Sequence, residues 1–342
     1  MARVGFIGLG NMGLPMALNL MKAGHQVEGF DVFGAAVDKL VAAGGVSAGS
    51  VKGAATRGDV VITMLPAGND VREVYLGGDG VVVNANPGTL LIDSSTIDVE
   101  TARVVALAAD SKGLSMLDAP VSGGVAGARA ASLTFMCGGS EAAFTRGRPL
   151  MEAMGKTIVH AGGSGNGQAA KICNNMILGV SMIAVSEAFV LAEKLGLDAQ
   201  KLFDISSKSS GQCWSLTSYC PVPGPVPASP ANRDYQAGFT AAMMLKDLKL
   251  AQDAARAGAV ATPLGAEAAA VYELYCAHGH GGRDFSGIIR FLRGSGAAAS
   301  QARPKDAHER CPLALMFVDD MISRKCRRTR DIQSKRRVTE SI

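Results

Sequence analysis

Over roughly the first 160 residues, short and almost purely apolar runs alternate with longer stretches of mixed character. The runs lie at 4–7, 27–30, 60–65, 90–93, 116–118, 133–137 and 157–160. The runs predict strands, that at 4–7 buried and the continuous apolar one at 60–65 buried on both faces. The mixed stretch at 12–22 predicts a helix that stops at Ala23-Gly24. Strands alternating with helical stretches predict a mostly parallel, doubly wound α/β sheet. In such sheets ligands sit beyond the carboxyl ends of the strands. Leu65-Pro66, the segment 94–96 and the segment 122–124 are all placed at such ends.

The pattern changes near Gly162. A glycine-rich break at 162–167 precedes an apolar stretch that runs without proline from 168 to about 195, predicting one long helix ended by Gly196. Helical patterns follow at 199–208, 241–257, 266–278 and 286–292. Between them, residues 220–230 hold too many prolines for a helix or a central strand, and predict an ordered loop over a site or interface. The expected division is an α/β domain at 1–162, an all-helical domain at 163–293 and a basic, disordered tail at 294–342. Within that tail, residues 313–322 could form one short helix.

Charge changes this picture at one place. The net charge of +4 belongs to the tail: before Gly294 there are 23 basic and 24 acidic residues. The body therefore has no surplus that would favour nucleic acid, and no nucleic-acid partner is expected. An apolar fraction of 48% with 19% charged residues fits a well-cored soluble enzyme. No run of eighteen apolar residues occurs, so no membrane span is expected. The first strand begins at residue 3, leaving no space for a targeting peptide, and the expectation is a cytoplasmic protein. Seven scattered cysteines without a C-x-x-C pair read as reduced, with Cys173 as a small buried hydrophobe. The five histidines have no metal-ligand spacing, so no metal is expected. Gly45-Val-Ser-Ala-Gly49 matches a hydrolase elbow in letters only, because a helical stretch precedes it.

Candidate chemistry starts at the first strand. Gly8, Gly10 and Gly13 form G-x-G-x-x-G between a strand and a helix, and Asp31 ends the next strand. Gly8 suits a tight turn, Gly10 lets a pyrophosphate approach the backbone, and Gly13 lets helix and strand pack closely. An acid at the end of the second strand accepts hydrogen bonds from ribose hydroxyls and repels a 2′-phosphate, so the expected cofactor is NAD. Lys171 lies early in the long helix, with Asn174 and Asn175 at i+3 and i+4 on the same face. A partly buried lysine has its pKa lowered and can exchange a proton near neutrality. A plain surface lysine is the other reading of these residues. Ser122-Gly123-Gly124 could bind a carboxylate or be an ordinary turn, and Lys246 could meet a ligand's charge or be solvated.

In order and spacing, four segments resemble the β-hydroxyacid dehydrogenase family. They are 5–13, 118–124 (Asp-Ala-Pro-Val-Ser-Gly-Gly), 165–175 (ending Lys171-Ile-Cys-Asn-Asn175) and 246–251 (Lys-Asp-Leu-Lys-Leu-Ala). The resemblance covers residues 3 to about 293, and segments 209–214 and 235–239 are similar to its hydroxyisobutyrate branch. It implies a Rossmann-type domain, then an all-α domain joined to it by the long helix, with subunits paired through the helical domain as a dimer or tetramer. It implies that Lys171 is the general acid/base in oxidation of 3-hydroxyisobutyrate to methylmalonate semialdehyde, a step of valine breakdown. Ser122, Gly123 and Gly124 would hold the substrate carboxylate and Asn175 would orient the substrate. Gly8, Leu9, Gly10, Asn11, Met12, Gly13, Asp31, Leu65, Pro66, Thr96 and Lys246 would line the cofactor. The basic tail departs from the family pattern. Two rivals stay open: a reductase of a related small semialdehyde such as tartronate semialdehyde, and a non-catalytic nucleotide-binding protein acting through its tail.

Overall fold

The computed structural model describes residues 1–294. The expected tail, with the short helix at 313–322, lies outside the described residues.

Nine strands among the described residues form one sheet: β1 (Arg3–Ile7), β2 (Gln26–Phe30), β3 (Val46–Ser47), β4 (Val60–Thr63), β5 (Leu90–Asp93), β6 (Ser115–Asp118), β7 (Val121–Ser122), β8 (Leu133–Gly139) and β9 (Gly155–Gly162). Their order is β3-β2-β1-β4-β5-β6-β8-β7, with β9 also paired to β8. Pairing is parallel from β3 through to β6, β8 runs antiparallel to β6 and β7, and β9 runs parallel to β8. The chain reverses its direction of travel across the sheet between β1 and β4. A crevice for a ligand opens at such a point, past the strand ends.

The helices in this half are α1 (Gly13–Lys22), α2 (Gly34–Ala42), α3 (Val51–Arg57), α4 (Gly68–Leu76), α5 (Val81–Asn84), α6 (Val99–Asp110), α7 (Gly124–Arg129) and α8 (Glu141–Glu152). They cover both faces of the sheet, because alternate strand residues point to opposite sides. Phe6, Ile62, Leu90 and Ile92 share one core with Met16 and Leu20 of α1. Ile7, Val61 and Leu91 share the other with Val71 and Tyr75 of α4 and Val105 of α6. Complete burial of each such side chain contributes about 1.5–3 kcal/mol. The apolar run at 60–65 outlasts its strand: β4 ends at Thr63, Met64 still donates to the Ile7 carbonyl of β1, and Leu65 turns away to Ser95.

The helical half comprises α9 (Asn166–Lys194), α10 (Ala199–Ser206), α11 (Trp214–Thr217), α12 (Ala241–Ala257), α13 (Pro263–Tyr275) and α14 (Ile288–Arg293). By length and composition α9 could cross a membrane. Here it packs on β8 at its start and on α12, α13 and α14 further along, so one helix joins the halves. The proline-rich loop is ordered. Ser229 Oγ donates to the Cys220 carbonyl and Tyr235 Oη to the Pro221 carbonyl, and a 3₁₀ turn spans Pro230–Arg233.

Candidate active site

The glycine loop joins β1 to α1. Gly8 has φ +93°, and a Cβ there would collide with the Met64 carbonyl. A Cβ at Gly13 would collide with the Gly8 carbonyl, whereas the space beside Gly10 is open. The start of α1 has no acid in its first turn and no side-chain cap. Its free amides and positive dipole end face outward past an open glycine, which suits a pyrophosphate. Asp31 ends β2 as expected. Its carboxylate accepts the Leu9 amide (2.6 Å) and the Phe33 amide (2.8 Å), which ties the glycine loop to the end of β2. Asn11 is exposed and Met12 half-buried on the same loop.

Across the crevice, Lys246 of α12 reaches over to the sheet half. Its Nζ donates to the carbonyls of Thr96 (2.9 Å) and Pro66 (3.2 Å). Three expected cofactor residues therefore meet directly. Leu65 is fixed from below, its amide donating to Ser95 Oγ (2.8 Å), which in turn donates to buried Asp93 (2.6 Å).

Lys171 is only 6% exposed, although it stands in the second turn of α9. Burial lowers its pKa, the carboxylate of Asp247 opposes that shift, and Lys246 adds to it. Asn175, one turn on, is also buried and donates through Nδ2 to Asp247 Oδ2. Asp247 was not among the expected site residues. It is 2% exposed, its Oδ1 has no hydrogen-bond partner, and Lys246 Nζ lies 3.6 Å from that oxygen. In the sequence it shows only as the neighbour of Lys246 within the segment 246–251.

Two expectations need correction. Asn174 does not share the buried face of Lys171 and Asn175; it is exposed and donates to Asn175 Oδ1 at 3.0 Å. Cys173 is exposed, not buried. At about 100° per residue, position i+2 falls on the far side of a helix and i+3 on the margin of its buried arc.

Ser122 ends β7, and Gly123 and Gly124 turn the chain into α7 with φ +129° and +59°. This turn stands against the helical half: a Cβ on Gly124 would sit 3.5 Å from the Gly238 carbonyl. Gly238 is itself pinned by Asp284, a fully buried carboxylate that accepts the amides of Gly238 and Phe239 and the hydroxyl of Tyr219. The site can thus hold a nucleotide on main-chain groups at the sheet ends. Lys171, buried with Asn175 and Asp247, lies near Lys246, and the Ser122–Gly124 turn against Gly238 offers groups able to receive a small anion. Among the described residues no group of three metal-ligating side chains is close enough to hold a metal ion.

Comparison with known proteins places the chain by family and fold. Residues 3–163 match the family model described as the NAD binding domain of 6-phosphogluconate dehydrogenase. Residues 165–292 match the one described as NAD-binding of NADP-dependent 3-hydroxyisobutyrate dehydrogenase. A Pseudomonas aeruginosa protein named NAD-dependent L-serine dehydrogenase is 51% identical over 85% of this chain and 98% of its own length. The 3-hydroxyisobutyrate dehydrogenase of the same organism is 49% identical over 86% and 99%. A solved structure of Mycobacterium tuberculosis 3-hydroxyisobutyrate dehydrogenase with L-serine is 52% identical, covers 86% of this chain and all of that one, and superposes with a TM-score of 0.83.

Proposed function

The chain belongs to the 3-hydroxyisobutyrate dehydrogenase family of NAD(P)-dependent β-hydroxyacid dehydrogenases, and we propose that it oxidises 3-hydroxyisobutyrate to methylmalonate semialdehyde with NAD, using Lys171 as the general base. The buried Lys171 beside Asn175 and Asp247, close to the Lys246 that reaches the Pro66 and Thr96 carbonyls, carries this reading.

The residues present fit a dinucleotide. Gly8–Gly13 and the start of α1 would hold the pyrophosphate, Asp31 the adenosine ribose, and Leu65, Pro66 and Thr96 the neighbouring wall, with Lys246 bridging from α12. When bound, NAD supplies the acceptor for the hydrogen and electron pair that leave the substrate carbon. Asp31 favours NAD because a 2′-phosphate would meet a carboxylate. Replacing Asp31 with Ala should therefore narrow the preference for NAD over NADP by about tenfold, equivalent to ~1.4 kcal/mol.

Lys171 takes the hydroxyl proton during oxidation and returns it to the carbonyl oxygen in reduction. Burial lowers its pKa, so its neutral form is reached at lower pH than for a free lysine. Ser122 and the turn at Gly123 and Gly124 would receive the substrate carboxylate, and Asn175, held by Asp247, would orient the substrate.

L-serine is the second reading. Two relatives point to it, one by its name and one by its bound molecule. Serine differs from 3-hydroxyisobutyrate in carrying an ammonium where the latter carries a methyl, and the Asp247 Oδ1 without a hydrogen-bond partner is a group that would receive an ammonium. The deciding experiment measures appearance of the reduced-nicotinamide absorbance with NAD and each acid, for wild type and Lys171→Ala. Turnover of 3-hydroxyisobutyrate with the higher kcat/KM, lost in the variant, supports the first reading. A higher kcat/KM for serine moves the assignment to the second, and no turnover of either overturns both.

The same proposal takes the protein as a cytoplasmic homo-oligomer. Ile177 and Leu191 of α9 and Leu195 just beyond its end are 67%, 59% and 75% exposed, an apolar face suited to a partner subunit. A monomeric mass in solution would remove that part of the reading.

A further inference from the structure

Asp118 ends β6 and opens the segment that reaches the Ser122–Gly124 turn. Its carboxylate is buried, and it is spent on the start of α9: Oδ1 accepts the Gly165 amide (2.7 Å) and Oδ2 the Gln168 amide (2.9 Å). These are amides that a helix start leaves without intrahelical partners. The residue before α9, Gly165, offers no side chain to cap them and takes a left-handed φ of 85°. The surroundings are cut to fit the carboxylate. A Cβ on Gly138 would come within 2.5 Å of Asp118 Oδ1, and one on Gly167 would collide with the Asp118 and Met136 carbonyls.

Gln168 continues the same junction. It is fully buried, donates through Nε2 to the Ser95 carbonyl (2.8 Å) and accepts the Ile97 amide on Oε1 (3.1 Å). Ser95 and Ile97 flank Thr96, whose carbonyl receives Lys246. Lys171 follows Gln168 by three residues on the same helix. The first turns of α9 are therefore tied on one side to the strand that leads to Ser122–Gly124, and on the other to the Thr96 wall.

We propose that Asp118 and Gln168 are the positioning residues of the catalytic lysine, setting the rotation and height of the start of α9 so that Lys171 meets a substrate held by the Ser122–Gly124 turn. The inference rests on the reading of Lys171 as the base. The clasp works with Asp118 ionised, because both oxygens must then accept. Burial raises its pKa to about 6, and the neighbouring Asp93 carboxylate on β5 acts in the same direction. Cys137 on β8 is the other titratable group that senses it. A neutral cap would suffice to start a helix. A charged one held in place by two amides defines the helix position more tightly.

The test uses the full chain with Asp118→Asn and Gln168→Met. In Asp118→Asn one oxygen becomes an NH₂ that faces a backbone amide, so one clasp bond is lost. Amide hydrogen exchange at Gly165 and Gln168 should accelerate about tenfold or more while β1 and β4 stay protected. The turnover number should fall about 10²-fold, the effect expected of a small misplacement of a reacting group. For Asp118→Asn the dissociation constant of NADH, read by fluorescence, should change less than about twofold, since the Asp118 carboxylate bonds only to the start of α9. Gln168→Met, which keeps the volume and the backbone, should lower kcat in the same direction and carries the test should Asp118→Asn fail to fold. Unchanged exchange at the start of α9, or a kcat that falls only in step with the folded fraction, overturns the proposal. If the wild type turns over neither acid, the Lys171 reading fails while the exchange arm still decides the clasp.

Discussion

The sheet half and the helical half offer chemistry by different means. The sheet half presents main-chain groups: amides around the Gly8–Gly13 turn, and the carbonyls of Pro66 and Thr96. The helical half presents side chains, with Lys171 and Asn175 on α9 and Lys246 and Asp247 on α12. Main-chain contacts survive substitution unless a new Cβ collides, whereas side-chain contacts vanish with the side chain. Substitutions at Lys171, Asn175 and Asp247 should therefore remove chemistry and spare nucleotide affinity, and those in the glycine loop should do the reverse.

Lys171→Met is the strongest way to break that contrast. The loss of a general base predicts a fall in kcat of about 10²–10⁴-fold, with the NADH dissociation constant little changed. Steady-state kinetics beside fluorescence titration would read both; a parallel loss of NADH binding would mean that Lys171 belongs to the nucleotide site. Gly13→Ala is the counterpart. The added methyl collides with the Gly8 carbonyl and presses on Phe6. Relieving such a clash costs about 1–3 kcal/mol, so NADH affinity should fall by roughly ten- to a hundredfold, while kcat at saturating cofactor stays near wild type.

Asp247→Asn sharpens the comparison within the helical half. The Asp247 charge raises the pKa of Lys171 against the larger lowering by burial. Oxidation needs neutral Lys171, so kcat rises with pH through that pKa. Removing the charge leaves burial and Lys246 to act unopposed, and the rising limb should move to lower pH. Asn175 keeps an acceptor in this variant, so a change in the limb is not a loss of the amide pair. A limb that stays in place would show that Asp247 does not act on Lys171.

The same contrast explains what the sequence made legible. The strands of the sheet half carry their burial in contiguous letters, and Gly8 and Gly13 are required by local geometry, a positive φ and a close helix approach. These features depend on neighbours a few residues away. Lys171 and Asn175 came from helical spacing, and the same arithmetic, carried further, would have put Cys173 outside and Asn174 at the margin. Asp247 and Asp118 could not be read this way. The partner of Asp247 is Asn175, 72 residues earlier, and Asp118 meets amides 47 and 50 residues later. Only the packing of α12 and β6 against α9 makes either aspartate a site residue. The strand at 60–65 ended early for a similar reason, since Leu65 is drawn out to Ser95 of a separate loop.

Asp118 also allows a prediction that sets its role in the clasp against its effect on stability. Its carboxyl is raised from 3.8 to about 6 by burial. A raised acid binds more protons folded than unfolded, so its contribution is fully present below the unfolded value of 3.8 and is lost as pH rises through about 6. Measured by denaturant unfolding, wild type should lose up to ~3 kcal/mol relative to Asp118→Asn between roughly pH 4 and pH 7. At neutral pH the variant would then be close to wild type in stability, or above it, while losing turnover. A carboxyl lowered by its two amides would give the opposite slope, with the wild-type advantage growing as it ionises. The slope thus tests the raised carboxyl, and turnover of the same two proteins tests its hold on Lys171: a variant as stable as wild type at neutral pH that has lost turnover is what a positioning residue gives, and one that keeps turnover is not.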